Sequence, residues 1–295
     1  MSDKHEELDV RLPDGTLRVL RWGTGGQAVL AVHGITASAM SWQAVARELP
    51  ANWSLYAVDL RGRGHSAGLP GPYGFGRHVA DLAAAATELG LDHPVLAGHS
   101  LGAFAALLAA TQHADLFGGL LLVDGGLPLP ALPADADPDA ILDATLGPAL
   151  ARLRQTYPTI AAYFDFWRAH PALKDAWNSD IEDYLRYDLT GPEGALRSRV
   201  VEAAARTDGR ELLTGTEGFA AALGALPGPV TLLTAPAGLF GVPPGLQPDE
   251  LVAAWQPQAP LLLVEEVPGC NHYTLVLDPA HAATVAAHIT RASFA

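Results

Sequence analysis

Cysteine is nearly absent from this sequence: among 295 residues there is one, Cys270. A single cysteine cannot form an intrachain disulfide, and it cannot supply the several thiolates of a zinc cluster. Small disulfide-stapled folds and thiolate metal sites are therefore excluded. We expect neither a metal ion nor another cofactor.

Positive charge is also scarce. The sequence has 18 Lys and Arg residues against 32 Asp and Glu residues, which gives a formal net charge of -14. A surface of this sign repels phosphate backbones and anionic lipid headgroups. Nucleic acid and membrane surfaces are thus poor partners, and we expect a small-molecule substrate instead. The composition gives no indication of oligomeric state.

Long hydrophobic runs are missing as well. A representative run, Gly119-Leu120-Leu121-Leu122-Val123, has the length of a strand and not of a membrane-spanning helix. The first seven residues are largely charged and lack the apolar segment of a signal peptide. We therefore expect a soluble cytoplasmic protein. Because 49% of the residues are apolar, the chain can bury a large core.

Short apolar runs alternate with helical patterns along most of the chain. The predicted strands lie at 28–32, 55–58, 94–97, 120–123, 230–233 and 261–264, and the predicted helices at 40–49, 75–89, 101–112, 248–255 and 279–291. Such alternation predicts right-handed crossovers and a mainly parallel sheet covered on both faces. Two alternating runs at 8–12 and 17–22, on either side of Pro13-Asp14-Gly15, predict an antiparallel hairpin at the start.

Residues 126–210 interrupt this alternation. They begin with a proline-rich connector and continue with helical patterns only, at 140–157, 160–168, 172–187 and 193–207. We predict a helical cap inserted into an α/β core made of residues 1–125 and 211–295. The many aromatic residues of the cap form its own core in the simplest interpretation, but as a group they also line an apolar cavity beneath it. Our candidates for substrate contact are Tyr163, Trp167, Tyr184 and Tyr187.

The motif Gly98-His99-Ser100-Leu101-Gly102 lies between a predicted buried strand and a predicted helix. A sharp strand–turn–helix would place the Ser100 hydroxyl at a helix N-terminus, with glycines where backbone segments come close. The alternative is a structural turn with a helix-capping serine. The context favours Ser100 as a catalytic nucleophile.

A serine hydroxyl is a weak nucleophile and needs a base nearby. His272 follows the last predicted strand in a glycine-containing loop, and histidine titrates near neutral pH, so it can take a proton from Ser100 and return it. We interpret His33, His65 and His99, which lie in or beside other motifs, as structural residues.

Three further motifs follow predicted strands, and they carry a family resemblance. They are His33-Gly34, Asp59-Leu60-Arg61-Gly62-Arg63-Gly64-His65-Ser66 and Pro268-Gly269-Cys270-Asn271-His272. Together with the Ser100 motif, in this order and spacing, they make the chain resemble the α/β-hydrolase superfamily over nearly its whole length apart from the insertion. The resemblance implies an α/β fold with a mostly parallel eight-stranded sheet, helices on both faces, and a helical cap of the esterase, lactonase or thioesterase kind.

The resemblance leaves two places for the acid of a catalytic triad. The commonest place follows the seventh strand, but the loop 235–241 contains no carboxylate, and Asp249 and Glu250 look like ordinary acids at the start of a helix. The other place follows the sixth strand, where Asp124 precedes two glycines, as in thioesterases that release polyketides and peptides and in some lactonases. We predict that Asp124 orients His272. The alternatives are a loop-capping Asp124, or Asp249 or Glu250 as the acid.

The resemblance also implies an oxyanion hole built from two backbone amides. One belongs to the residue after the nucleophile, Leu101, and the other to the residue after His33-Gly34, Ile35.

These residues predict a serine hydrolase that cleaves a carboxylic ester or lactone of an apolar small molecule through an acyl-enzyme. A thioesterase acting on carrier-bound or CoA-bound acyl chains is one alternative, because the cap carries several arginines, although acids are interspersed with them. A non-catalytic small-molecule binder is another, since some receptors of this fold keep the triad.

Overall fold

The structure is a computed structural model that describes residues 4–294. Its strands, in chain order, are β1 (Glu6–Leu12), β2 (Gly15–Trp22), β3 (Gln27–Val32), β4 (Trp53–Val58), β5 (Val95–His99), β6 (Gly119–Val123), β7 (Leu189–Thr190), β8 (Arg197–Ser198), β9 (Val230–Thr234) and β10 (Leu262–Glu266). Its α-helices are α1 (Gln43–Glu48), α2 (Phe75–Glu88), α3 (Leu101–Gln112), α4 (Pro138–Arg152), α5 (Ile160–Arg168), α6 (Ser179–Asp188), α7 (Glu202–Thr214), α8 (Thr216–Gly224), α9 (Asp249–Trp255), α10 (Thr274–Leu277) and α11 (Pro279–Ile289).

Eight strands form one sheet in the order β1-β2-β4-β3-β5-β6-β9-β10. From β4 to β10 all neighbours are parallel, whereas β2 is antiparallel to both β1 and β4. The predicted mostly parallel eight-stranded sheet is therefore confirmed. Strand β4 lies on one side of β3, and the next strand in the chain, β5, lies on the other side, so the direction of strand order reverses at β3. In open α/β sheets, ligands bind at the carboxyl ends of the strands beside such a reversal.

The central strands are apolar because helices cover both of their sides. Every residue of β5 and β6 is buried, as expected for parallel strands inside an α/β layer structure. One apolar layer includes α1 and α11, and the other includes α2, α3 and α8. Between residues 4 and 294, no helix has both the length and the apolar character needed to cross a bilayer.

The insertion holds helices α4 to α7, but it is not only helical. The pattern predicts a helix over 193–207, but only residues 202–207 are helical; the residues before them contain β8, which forms an antiparallel hairpin with β7, so the first part of that prediction is wrong. Gly191 and Gly194 adopt φ angles of +103° and +90°, which a right-handed helix does not accommodate. Helix α7 consequently starts at Glu202 and continues to Thr214, beyond the cap boundary that we place at residue 210.

Two other predicted helices of the cap are shorter than their patterns suggest. Helix α6 starts at Ser179 and not near residue 172, because the side chain of Asn178 caps it by accepting a hydrogen bond from the Ile181 amide at 3.0 Å. Helix α4 ends at Arg152 and not at residue 157.

Candidate active site

Ser100 lies in a sharp turn between β5 and α3, with φ 57° and ψ -125°. A non-glycine residue in such a conformation is strained, and strain of this kind is concentrated at functional sites. The flanking glycines permit the turn: a Cβ atom at Gly98 would lie 2.3 Å from the Gly102 carbonyl oxygen, and one at Gly102 would lie 2.2 Å from the Val32 carbonyl oxygen. The strand–turn–helix expected from the motif is thus present.

Two further glycines let neighbouring loops pack against Ser100. A Cβ atom at Gly34 would lie 3.1 Å from the Ser100 Cβ, and one at Gly125 would lie 2.4 Å from the Ser100 carbonyl oxygen. The loops that follow β3 and β6 therefore approach the serine as closely as backbone allows. Larger side chains at these positions would force the loops apart.

Asp124 lies directly against His272. Its Oδ2 accepts a hydrogen bond from His272 Nδ1 at 2.6 Å, and the aspartate is fully buried. The other carboxylate oxygen, Oδ1, accepts from the Ala235 amide at 3.2 Å, so both oxygens have partners. By contrast, Asp249 and Glu250 are exposed in the first turn of α9. Of the three candidate acids, the structure brings Asp124 to the histidine.

The loop that carries His272 is fixed from two sides. The His272 amide donates to the Ala237 carbonyl at 3.0 Å, and the side chain of Asn271 donates to the carbonyl of Ala172 in the cap at 2.8 Å. His99 supports the loop from below, because its Nε2 donates to the His272 carbonyl at 2.9 Å. Burial lowers the pKa of His99 well below its usual value, so this supporting ring is neutral. The structural interpretation of His99 agrees with this contact.

Ile35 and Leu101 both line the cavity that contains Ser100. Neither amide donates a hydrogen bond to another residue in the described chain, so both are available to a ligand. His33 fixes the peptide unit that carries the Ile35 amide: its Nδ1 donates to the Gly34 carbonyl at 2.7 Å and its Nε2 accepts from the Leu60 amide at 3.0 Å. Burial lowers the pKa of His33 to about 3, which keeps the ring neutral, with one donor and one acceptor.

Two buried arginines hold the carbonyl groups of the same loop. Arg63 Nε donates to the Ile35 carbonyl at 2.9 Å, and Arg152 donates to the Thr36 carbonyl at 3.3 Å. Each arginine is also paired with a carboxylate of the cap, Arg63 with Asp208 at 2.5 Å and Arg152 with Asp188 at 2.8 Å. Sequence reasoning missed these pairs. The position of Arg63 inside the Asp59–Ser66 motif was the one signal that could have drawn attention to it.

The cavity beside Ser100 has a volume of about 230 Å³ and a mostly apolar wall. Helix α4, helix α7 and the loop after β9 each contribute two leucines to this wall: Leu142, Leu146, Leu212, Leu213, Leu239 and Leu246. His272, Asp124, Ile35 and Leu101 line the same space. No Lys or Arg is among the described residues that line it, so a bound ligand meets no cationic side chain there.

Of the four aromatic residues predicted to contact substrate, Tyr184 lines the cavity and the other three do not. The Tyr163 hydroxyl donates to Asp188 at 2.5 Å, and the Tyr187 hydroxyl donates to Asp59 at 2.7 Å. Trp167 is buried in the cap core with the Arg152 guanidinium 5.0 Å from its ring centroid. The structure therefore does not bring these three side chains to the cavity of Ser100: they join the cap to its own core and to the sheet.

Cys270 lies close to His272 in sequence but is not activated. Its thiol is buried and donates to the Val267 carbonyl at 3.0 Å, and burial raises its pKa to about 12. A thiol in this state is a poor nucleophile. This placement leaves Ser100 as the nucleophile candidate at the site.

The chain matches the alpha/beta hydrolase family over residues 29–287, and it therefore belongs to that family. The solved structure of an E-2-(acetamidomethylene)succinate hydrolase superposes on 98% of this chain and 100% of its own, with a TM-score of 0.81 at 23% identity, which is a likeness of fold alone.

Several curated relatives carry named activities. An N-formylmaleamate deformylase of Pseudomonas putida is 44% identical over 106 residues, which cover 36% of this chain and 40% of the relative. An esterase of Mycobacterium tuberculosis is 37% identical over 117 residues, which cover 39% of this chain and 38% of the relative. The chain thus spans about two fifths of the length of the curated relatives it matches. The family and these relatives support hydrolysis as the class of reaction.

Proposed function

We propose that this protein is a serine hydrolase that cleaves a carboxylic ester or lactone of a small apolar molecule through an acyl-enzyme. The observation that carries the proposal is the 2.6 Å hydrogen bond between Asp124 and His272 in a cavity that also holds the strained Ser100. A capping serine would need neither a paired histidine nor a cavity.

In this proposal His272 takes the proton of the Ser100 hydroxyl as the serine attacks the substrate carbonyl. Asp124 holds the imidazole with its Nδ1 protonated and stabilises the imidazolium that forms. The amides of Ile35 and Leu101 bind the oxyanion. His272 then protonates the leaving alcohol, and a water that it activates releases the acid from Ser100.

The wall of the cavity supports an uncharged substrate. An anionic ligand would lose its hydration there without meeting a Lys or Arg side chain, and an unpaired buried charge is costly. The named substrates of the deformylase and of the succinate hydrolase are acids. We therefore propose an uncharged ester or lactone as the substrate of this chain, which is the substrate class that the name of the esterase indicates rather than an acid.

The cap arginines give little support to a CoA thioester. Arg154 is paired with Glu202, Arg168 with Glu182, and Arg152 with Asp188. Arg186, Arg197 and Arg199 form no ion pair with a described carboxylate, but none of them lines the cavity. A basic entrance for phosphate groups would need unpaired cations. A thioester of an uncharged carrier stays an alternative, and so does a non-catalytic binder, and both are outcomes of the same experiment.

The test combines a substrate panel with labelling of the nucleophile. We expect p-nitrophenyl esters and lactones to be hydrolysed faster than p-nitroanilides and acyl-CoA, and a fluorophosphonate to label Ser100. Ser100→Ala should abolish both. Ser54→Ala, a buried serine whose hydroxyl donates to the Gly25 carbonyl, should retain both. Faster thioester turnover would favour the thioesterase. Absence of turnover and labelling in the wild type would favour the binder.

A further inference from the structure

Two tyrosine hydroxyls at the cavity have no partner. Tyr184 of α6 and Tyr273, which follows His272, line the same space as Ser100. Neither hydroxyl forms a hydrogen bond with any residue between 4 and 294, although Tyr184 is only 6% exposed. Neither hydroxyl is among the fully buried, unpartnered polar atoms of residues 4–294, so each keeps accessible surface and can be reached by a ligand in the cavity.

Most other polar side chains of the cavity wall already have partners. The Thr145 hydroxyl donates to the Ile141 carbonyl at 2.8 Å, and Gln247 Nε2 donates to the Leu246 carbonyl at 3.0 Å. Apart from Ser100, the one further hydroxyl without a partner belongs to Thr36, beside Ile35 at the proposed oxyanion hole. His99 Nδ1 also lacks a partner at the cavity, but His99 donates through Nε2 to the His272 carbonyl, so Nδ1 of the neutral ring can only accept. The two tyrosines are therefore the hydrogen-bond donors that remain for a part of the substrate away from the reacting carbonyl.

Both side chains are held in place before a ligand arrives. Asn271 Oδ1 accepts hydrogen bonds from the amides of Tyr273 and Thr274 at 3.0 Å each, which fixes the turn. The Tyr273 ring meets the His272 ring nearly edge-on, at 5.5 Å and 78°. Tyr184 lies on α6, which is tied to the core because Asp180 accepts a hydrogen bond from Gln43 at 2.9 Å. Preorganised donors bind an acceptor without an ordering cost.

The charges around the pair favour a neutral acceptor. Burial raises the pKa of both tyrosines, so each hydroxyl stays protonated and can donate. The cation that acts on both, Arg152, is paired with Asp188 at 2.8 Å and does not line the cavity. A carboxylate at this place would lack a counter-ion, whereas a ketone, ether or hydroxyl oxygen needs only the two donors.

We propose that Tyr184 and Tyr273 form a subsite that donates hydrogen bonds to an uncharged oxygen of the substrate, away from the bond that is cleaved. The subsite rests on the proposed hydrolase function, because its ligand is part of the molecule that Ser100 attacks. It defines a narrower substrate class: a mostly apolar ester or lactone that carries a second, neutral oxygen.

The experiment compares p-nitrophenyl hexanoate with its 4-oxo and 5-oxo analogues and with the p-nitrophenyl monoester of adipic acid, which carries a carboxylate. We expect the wild-type protein to prefer at least one oxo ester over hexanoate in kcat/KM. Tyr184→Phe and Tyr273→Phe should each reduce that preference, the ratio of kcat/KM for the oxo ester to kcat/KM for hexanoate, roughly 3- to 10-fold, because one neutral hydrogen bond contributes this much. Tyr157→Phe, whose hydroxyl contacts Gln155 within the cap, is the matched control and should leave the preference unchanged.

The outcomes separate this inference from the function on which it rests. Equal kcat/KM for hexanoate and both oxo esters, or an equal effect of the phenylalanine variants on all of them, would overturn the subsite while leaving the hydrolase in place. Preference for the adipate monoester would show that the acceptor is charged and would overturn the substrate class. Absence of hydrolysis of every ester, together with absence of fluorophosphonate labelling, would overturn the proposed function itself.

Discussion

Arg63 Nε donates a 2.9 Å hydrogen bond to the carbonyl of Ile35, the residue whose amide we assign to the oxyanion hole. The same guanidinium is paired with Asp208 of α7, and that carboxylate also accepts from His78 Nε2 at 2.8 Å and from the Gly74 amide at 2.8 Å. Burial alone would raise the pKa of Asp208, but the charge of Arg63 and the hydrogen bonds from Arg63 and His78 outweigh it and lower the pKa. Asp208, a carboxylate of the cap, thus positions Arg63, and Arg63 in turn positions the loop that contains Ile35.

Replacement of this arginine should affect the rate more than substrate binding. In Arg63→Lys, the ammonium can stay close to Asp208, but it cannot also present the planar Nε–H to the Ile35 carbonyl. We expect kcat to fall roughly 10-fold with a smaller change in KM, because a displaced oxyanion donor weakens the transition state more than the ground state. Steady-state kinetics, normalised to the fraction of Ser100 that a fluorophosphonate titrates, measures the change.

Arg154→Lys is the control for that measurement, since Arg154 forms its ion pair with Glu202 at the cap surface. Its kcat should match that of the wild type. If Arg63→Lys retained full kcat per titrated site, the arginine would be only a structural residue of the motif.

Asp124→Asn should reduce kcat by about 10³- to 10⁴-fold, because the amide no longer stabilises the imidazolium and favours the wrong tautomer of His272. The fold should persist, since the substitution is nearly isosteric and Oδ1 can still accept from the Ala235 amide. Asp249→Asn, at the exposed start of α9, is the matched control and should keep wild-type kcat. A large loss in Asp249→Asn and none in Asp124→Asn would reverse our assignment of the acid.

The sequence predicts the site well where each position depends on local structure. Ser100 and Asp124 directly follow the buried parallel strands β5 and β6, and His272 lies in the loop after the parallel edge strand β10. Parallel strands end at one edge of the sheet, so the meeting of the three residues follows from the strand pattern. Their catalytic roles are still predictions. The cap is different, because its side chains choose partners far away in sequence. Tyr187 binds Asp59, at a separation of 128 residues, and no local pattern signals that contact.

The same argument explains why the apolar wall was missed. Leu142 on α4 and Leu212 on α7 line the cavity because the two helices pack against each other across it. In the sequence neither residue can be distinguished from an ordinary core leucine. Its position at the cavity depends on how the cap helices pack, which the sequence pattern does not reveal. The aromatic residues attracted attention by composition, and most of them fill the cap core.

Gly125→Ala should disturb the site through its backbone. The added Cβ would lie 2.4 Å from the Ser100 carbonyl oxygen, so the loop after β6 has to move away from the turn. We expect the free energy of unfolding to fall by about 1 to 3 kcal/mol, as for other overpacked sites, together with a loss of kcat. Urea titration and kinetics measure the two effects. Gly76→Ala, where a Cβ meets nothing within 4 Å on α2, should keep full stability and kcat; equal behaviour of both variants would contradict the close packing at Ser100.

His33 should make the stability of this protein depend on pH. Burial lowers its pKa to about 3, whereas in the unfolded chain the imidazole titrates near its usual value of 6.5. Between these values the unfolded state binds the proton and the folded state does not, so the contribution is fully present above about pH 6.5 and is lost as the pH falls towards 3. From pH 7.5 to pH 5, this group should cost about 2 kcal/mol of unfolding free energy.

A comparison of variants isolates this contribution from those of other groups, including His99, whose pKa is also lowered. Urea unfolding at pH 7.5 and at pH 5 gives, for the wild type and for His33→Gln, the change in unfolding free energy between the two pH values. The variant should be less stable at pH 7.5, because the glutamine does not reproduce both hydrogen bonds, to Gly34 and Leu60, but it should lose about 2 kcal/mol less between the two pH values. His113→Gln, at the end of α3, should lose as much as the wild type. If His33→Gln also lost as much unfolding free energy as the wild type, the His33 imidazole would not be held neutral. The hydrogen bonds of His33 Nδ1 and Nε2 would then not explain how the Ile35 peptide is anchored.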